Sequence, residues 1–173
     1  MHALIMKLGL GDRLRRDNLN RYLLQCTLAS VVVLILLLIL DTVTQTVLIA
    51  ALGASTFIAF AVPRSLQSEP RYMIGGYLVG ILVGSSIGTL NAAITYSDIV
   101  TAHVAMIVFG ALATGLAMFV MVLTKTEHPP AAALALGLVL NEWDFLTLVV
   151  VIVGVIALSI CKRLVLPILM DLM

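Results

Sequence analysis

Six apolar runs dominate this sequence, and short polar breaks separate them. The runs cover residues 22–40, 47–62, 72–90, 99–123, 129–140 and 145–161. A helix that crosses the hydrocarbon core needs about 20 predominantly apolar residues. The first, third and fourth runs reach that length, and the sixth reaches it with its flanks. We therefore predict an all-α, polytopic transmembrane helix bundle with four long spans and two short helices that are re-entrant or broken.

The composition agrees with a membrane location. Of 173 residues, 62% are hydrophobic and 11% are charged, whereas soluble domains carry roughly 45–50% and about 25%. The net charge of +1 gives no indication of a nucleic-acid partner. Neither of the two cysteines has a second cysteine or a histidine at metal-ligand spacing. We expect the lipid bilayer as a partner, and neither a cofactor nor a metal site.

The basic residues predict the topology. A basic amphipathic leader, residues 1–21, places the N-terminus in the cytoplasm by the positive-inside rule. If all six runs cross, every later lysine and arginine is also cytoplasmic. If the two short runs are re-entrant instead, Arg64 and Arg71 move outside. The rule therefore favours a multi-pass protein of the inner membrane with both termini cytoplasmic, a membrane domain at 22–163 and an interfacial tail at 164–173.

The order of run lengths is long, short, long, and then long, short, long again. Two halves of three segments each, at about 22–91 and 99–163, would be inverted in the membrane. Inverted repeats of this kind are common among transporters. The spacing is therefore consistent with an inverted repeat of three segments.

The stretch KTEHPPAAA, residues 125–133, combines charge with two prolines. Pro129 and Pro130 fit the first turn of a helix and are disfavoured inside one. We therefore predict a helix start here, with Thr126 or Glu127 near the cap. The helix is too short to reach the inner surface from Trp143, so Glu127 and His128 are expected where the chain dips into the membrane.

A comparable feature lies in the other short run, at Gly53-Ala54-Ser55-Thr56. Ser55 and Thr56 could cap a second half-helix, with Gly53 permitting the break. Helix N-termini attract anions, so two converging starts would form a small-anion site. Alternatively the small residues only allow close packing. The candidate substrate-binding residues are Gly53, Ala54, Ser55, Thr56, His128, Pro129, Pro130 and Ala131.

The third run carries glycines at every fourth position, namely Gly76, Gly80, Gly84 and Gly88. This spacing places small residues along one helix face and allows two backbones to approach closely. We predict a glycine zipper that packs helices together.

Three ordered motifs resemble those of the HPP family of integral membrane proteins. They are Gly53-Ala54-Ser55, the stretch from Pro63 through Glu69-Pro70-Arg71 to Gly75-Gly76, and His128-Pro129-Pro130. Where the family usually has Ala-Gly-Ala after the prolines, this chain has three alanines, which argues against a tight backbone approach at Ala132. The family is commonly described with four spans. The resemblance implies transport of a small inorganic anion, with nitrite the leading candidate.

Glu127 would repel an anion bound at its own helix start. Either its carboxylate points towards Lys125 or Arg71, or it is protonated when the anion arrives. We therefore predict proton-coupled transport with Glu127 and His128 as the protonatable pair. Lys125, Arg71 and Glu69 are predicted to give electrostatic support.

Three alternatives from other classes stay open. A passive anion channel and a non-transporting membrane scaffold use the same helices. An intramembrane serine hydrolase is disfavoured, because Gly53–Thr56 lacks the last glycine of the Gly-x-Ser-Gly motif of rhomboid proteases. We therefore expect no enzymatic activity. With so few residues per crossing, one chain encloses little cavity, so a homo-oligomer is expected.

Overall fold

A computed structural model of the chain describes residues 16–39, 46–96 and 102–172. These residues form six α-helices, which confirms the predicted all-α membrane bundle. The helices are α1 (Arg16–Ile39), α2 (Thr46–Ala61), α3 (Pro70–Tyr96), α4 (Ala102–Thr124), α5 (Pro129–Leu140) and α6 (Phe145–Val165). Short 3-10 turns follow α2 and α6, at Leu66–Ser68 and Leu166–Ile168.

Among the described residues, three helical segments are long and apolar enough to cross a membrane. They are Pro70–Thr95, Ala102–Thr124 and Phe145–Ile168. The apolar stretch of α1 in the described residues is shorter, at Leu23–Ile35, as are those of α2 and α5. The predicted leader lies outside the described residues up to position 15, and its last six residues belong to α1.

The short helix α5 lies at the centre of the described bundle and contacts α2, α3 and α4. Eight of its 12 residues are buried, compared with five of 23 in α4. In turn α2, the other short helix, contacts α1, α5 and α6. If α1, α2 and α3 are matched in order with α4, α5 and α6, the three contacts of α2 become the three contacts of α5. The two sets of three helices therefore have equivalent contacts, and the inversion of one half relative to the other stays a prediction.

The glycine-bearing face of α3 lies directly against α5. A methyl group placed on Gly80 would overlap the carbonyl oxygen of Ala131. One placed on Gly84 would lie 2.7 Å from Cα of Ala135, which is closer than real Cβ contacts come. The backbones of α3 and α5 therefore touch where only glycine fits on α3. The sequence argued against a tight backbone approach at Ala132, and the approach to Gly80 is made by Ala131, one residue earlier.

The C-terminal residues pack against the ends of α1 and α2. The Gln25 side chain is 1% exposed and its Nε2 donates to the carbonyl oxygens of Phe60 and Met170, both at 2.8 Å. The amide of Leu172 donates to Ala61 O at 2.8 Å. The bonds to Phe60 O and Ala61 O satisfy carbonyls that the end of α2 leaves without intrahelical partners. The predicted tail at 164–173 therefore begins inside α6 and ends docked on α2.

Candidate functional site

The turn before α5 begins with a left-handed residue. Lys125 has φ 53°, its amide donates to Val122 O at 3.3 Å, and the amide of Thr126 donates to Met121 O at 3.0 Å. This pair of hydrogen bonds is the Schellman arrangement that ends many helices. It stops α4 and turns the chain so that the N-cap of α5 is His128. Glu127 and Thr126, predicted to lie near the cap, lie one and two residues before it.

The start of α5 offers few backbone donors to an anion. Pro129 and Pro130 have no N–H, and the amide of Ala131 donates to the carbonyl oxygen of His128 at 2.9 Å. The first three helical positions therefore leave no free N–H group. A site built from backbone amides at this helix start, as the sequence suggested, does not agree with this geometry.

The second half-helix start is also absent, because α2 passes through residues 53–56 without a break. The hydroxyls of Ser55 and Thr56 lie within hydrogen-bond distance of the carbonyl oxygens of Ala51 and Leu52, at 3.0 and 2.9 Å. Such bonds to the preceding turn are compatible with a continuous helix. A methyl group placed on Gly53 would meet no atom of another described element within 4 Å. The expected cap at Ser55 or Thr56 was therefore wrong.

The two motifs nevertheless meet, through side chains rather than helix ends. Ser55 Oγ lies 2.8 Å from His128 Nε2 and 2.9 Å from the hydroxyl of Tyr77 on α3. On the other side of the imidazole, Nδ1 lies 3.0 Å from the carbonyl oxygen of Gln67 in the 3-10 turn. Ser55, Tyr77 and His128 are each at most 1% exposed. We call Tyr77, Ser55, His128 and Gln67 O the polar chain.

Glycines in α3 make room for the histidine. A methyl group on Gly76 would lie 2.7 Å from Cβ of His128, and one on Gly75 would lie 2.6 Å from Thr126 Cγ2. The segment before α5 therefore rests directly on the backbone of α3. This contact places His128 beside Tyr77, with ring centroids 5.7 Å apart.

The acceptors around His128 fix the direction of the hydrogen bonds. A carbonyl oxygen can only accept, so Nδ1 carries a proton and donates to Gln67 O. In the neutral ring, Nε2 then accepts from the hydroxyl of Ser55, and Ser55 Oγ accepts from Tyr77. In the protonated ring, Nε2 donates to Ser55 Oγ, whose hydroxyl turns to Ala51 O at 3.0 Å. Both protonation states of His128 are therefore fully hydrogen-bonded.

A side groove of about 450 Å³ between α4 and α5 reaches this region. Glu127, His128 and Pro129 line it at one end, and Met118 and Leu136 are among the apolar residues that line the rest. Glu127 is partly buried. Both residues of the predicted protonatable pair line this groove, although the His128 side chain is buried.

The residues predicted to give electrostatic support are not gathered around Glu127. Glu69 and Arg71 line a separate cleft with Arg64 and Lys162. Lys125 is exposed at the end of α4. The structure thus places Glu127 and His128 in one site and Glu69 and Arg71 in another.

Sequence reasoning missed Tyr77, Gln67 and Lys162. Tyr77 directly follows Gly75-Gly76, and a polar aromatic beside a small-residue pair inside an apolar run was an available signal. Lys162 interrupts an apolar helix and was counted only as a topological charge. Its side chain is 4% exposed, and Nζ donates to Ser68 O at 3.0 Å. Gln67 O is a backbone acceptor and leaves no signal in the sequence.

Within the described ranges, no group of three histidine, cysteine, aspartate or glutamate side chains is placed to hold a metal ion. The polar chain is instead a set of neutral hydrogen-bonding groups and one titratable imidazole. Its buried polar atoms have hydrogen-bond partners in either protonation state of the imidazole.

Comparison with known proteins gives a family match and two partial relatives. Two transmembrane proteins of Dictyostelium discoideum are 37% and 35% identical over 90 and 94 residues, which is 52% and 54% of this chain. The matched parts make up only 29% and 28% of those proteins. No solved structure matches. The family model described as HPP, transmembrane region, matches residues 15–169, and the chain therefore belongs to the HPP transmembrane family.

Proposed function

We propose that this protein transports a small inorganic anion together with a proton, and that His128 binds the proton. The observation that carries the proposal is the polar chain, in which Ser55 can donate to His128 or accept from it. A buried network that serves only packing does not need two satisfied protonation states. This one accommodates both.

The anion and the proton would support one another's binding. An unpaired charge in a buried site costs several kcal/mol, and a neighbouring opposite charge offsets that cost. Protonated His128 therefore favours an anion nearby, and the bound anion favours protonated His128. This reciprocity is the thermodynamic requirement for coupled transport.

Access would follow the groove between α4 and α5. Glu127 lines this groove beside His128, and in this proposal it would pass the proton to and from the imidazole. A protonated Glu127 would also not repel the anion. The glycine zipper of α3 would hold His128 against Tyr77 while the proton moves. Nitrite, the substrate that the family resemblance implies, is the first anion to test.

The test is nitrite flux into proteoliposomes under an imposed pH gradient, after subtraction of the leakage of nitrous acid through lipid. Wild type should accumulate nitrite against its gradient, and His128→Ala should lose the protein-dependent flux. His103→Ala is the matched control, because His103 is exposed on α4. Equal flux in wild type and His128→Ala would reject the histidine as the proton site.

The same flux measurements also distinguish the alternative functions. Downhill flux without accumulation would indicate a passive channel, and the absence of protein-dependent flux with nitrite, nitrate and formate would favour a scaffold. Flux that stays constant between about pH 5.5 and 8, where a histidine ordinarily titrates, in both wild type and Glu127→Gln would reject proton coupling.

A second candidate, an intramembrane serine hydrolase, is favoured by the 2.8 Å contact between Ser55 and His128. A hydroxyl in hydrogen-bond reach of an imidazole is the arrangement of an activated nucleophile. Against it, Ser55 is fully buried and the ring is oriented by a carbonyl oxygen, not a carboxylate. A fluorophosphonate probe decides the question, since labelling of wild type but not of Ser55→Ala would favour the hydrolase.

A further inference from the structure

A second polar feature lies apart from the polar chain, where α2 and α6 end and α3 begins. A cleft of about 570 Å³ opens there, which we call the basic cleft. Four basic residues and a single acidic one line it: Arg64, Arg71, Lys162, Arg163 and Glu69. Neither Glu127 nor His128 lines this cleft.

Lys162 is the innermost of these cations. Its side chain is 4% exposed, and Nζ donates to the carbonyl and hydroxyl oxygens of Ser68, at 3.0 and 3.2 Å. An ammonium group has three donors, and both contacts are with neutral oxygens. These two hydrogen bonds use two of the donors, and the carboxylates of Glu69 and Asp171 offset part of the charge.

Ser68 and Arg64 belong to the same connection between α2 and α3, and this connection is held in place. The Ser68 hydroxyl donates to Pro63 O at 2.7 Å, and the amide of Arg64 donates to a carboxylate oxygen of Asp171 at 3.2 Å. The wall of the basic cleft is therefore preorganised, which lowers the entropic cost of binding.

Charge and size together point to the ligand class. Arginine guanidinium groups match phosphate oxygens in bidentate geometry, and Arg64, Arg71 and Arg163 all line the cleft. The volume lies in the range of roughly 300–1,000 Å³ that is typical of pockets for organic ligands. It is much larger than a triatomic anion requires.

We propose that the basic cleft binds a phosphate-bearing anion, with Lys162 at its base and Arg64 and Arg71 at its rim. The phosphate can belong to the headgroup of an anionic lipid or to a free phosphate. Basic pockets between membrane helices near the bilayer surface are known to take lipid headgroups. This site does not depend on the proposed transport at His128.

The test uses the full chain in detergent, incubated with phosphatidylglycerol, with phosphatidylcholine, or with inorganic phosphate. Native mass spectrometry counts retained lipid, and the thermal unfolding midpoint reports phosphate binding. The variant is Arg64→Gln with Arg71→Gln, since both side chains are exposed and their replacement leaves the bundle intact. Lys125→Gln, which removes an exposed cation outside the cleft, is the matched control.

A lipid ligand predicts saturable retention of phosphatidylglycerol over phosphatidylcholine that free phosphate does not displace. A free phosphate ligand predicts a raised unfolding midpoint without selective lipid retention. In either case the double variant should weaken binding at least about tenfold, as expected for lost charge-assisted hydrogen bonds, and Lys125→Gln should not. Arg163→Gln provides a second variant. Binding by none of the three ligands, or equal binding by wild type and both cleft variants, would overturn the proposal.

Discussion

Ser55 Oγ and His128 Nε2 lie 2.8 Å apart, although 73 residues separate them in the chain. Ser55 lies in the interior of α2 and His128 caps α5. The contact therefore joins the two short helices, which are the middle segments of the two predicted halves. Its partners on either side, Tyr77 and Gln67, belong to α3 and to the turn before it.

Ser55→Ala should lower the free energy of unfolding by about 1–3 kcal/mol, because it leaves the buried imidazole nitrogen without a partner. The measurement is denaturant unfolding in detergent micelles. Thr56→Val is the matched control, since the Thr56 hydroxyl contacts only Leu52 O of its own helix and its loss should cost less. Equal effects of the two substitutions would mean that the contact with His128 contributes nothing specific.

Gly80→Ala should destabilise the bundle by about 1–3 kcal/mol, the usual cost of overpacking. The added methyl group would overlap Ala131 O, a backbone atom that cannot move aside as a side chain end can. Unfolding in micelles again measures the effect. Gly115→Ala on α4 is the control, because no atom of another element lies within 4 Å of the added carbon. A neutral Gly80→Ala would show that α3 and α5 are less closely packed than described.

Lys125→Gly should stabilise the protein by about 0.5–1 kcal/mol. The left-handed conformation at φ 53° costs a residue with Cβ about 1–2 kcal/mol, and the greater freedom of glycine in the unfolded chain offsets part of the gain. Thermal unfolding measures the change. Thr124→Gly, inside the last turn of α4, should instead destabilise, and a loss of stability in both variants would contradict the Schellman assignment.

Some helix bounds could be predicted from the sequence because their signals are local, whereas α3, predicted at 72–90, extends to Tyr96. The run predicted at 129–140 matches α5 exactly at both ends, and α6 begins at the predicted Phe145. Two prolines at one end and a polar break at the other define these bounds without any tertiary information.

The interior of the site could not be predicted in the same way. Gly-Ala-Ser-Thr suggested a helix break, but the hydroxyls of Ser55 and Thr56 bond within the helix and no break is needed. The pairing of Lys162 with Ser68 spans 94 residues. Such contacts depend on how the helices pack, and neither hydropathy nor motif spacing records that.

Gln25→Leu should lower the free energy of unfolding by about 1–3 kcal/mol, because the carbonyl oxygens of Phe60 and Met170 lose their donor. It should also loosen the docked C-terminal residues. Hydrogen exchange at the amides of Met170 and Leu172 measures this loosening directly. Cys26→Ala, a change at the exposed neighbouring position, should leave both readouts unchanged. Unaltered exchange in Gln25→Leu would mean that the C-terminal residues dock without it.

The start of α6 gives a prediction about pH. Asp144 caps this helix, and hydrogen bonds from the Thr147 hydroxyl and amide, at 2.6 and 2.8 Å, hold the pKa of its carboxyl below the ordinary value of 3.8. A depressed pKa means that this contribution to stability is complete above the unfolded-state pKa and is lost as pH falls through the folded-state pKa. Asp144→Ala should therefore lower the unfolding midpoint at neutral pH, and the difference from wild type should shrink below about pH 4. Glu142→Ala, at an exposed acid two residues earlier, is the control and should show a smaller difference at every pH. A gap between wild type and Asp144→Ala that stays constant from about pH 7 to 3 would show that the ionised carboxylate is not what caps α6.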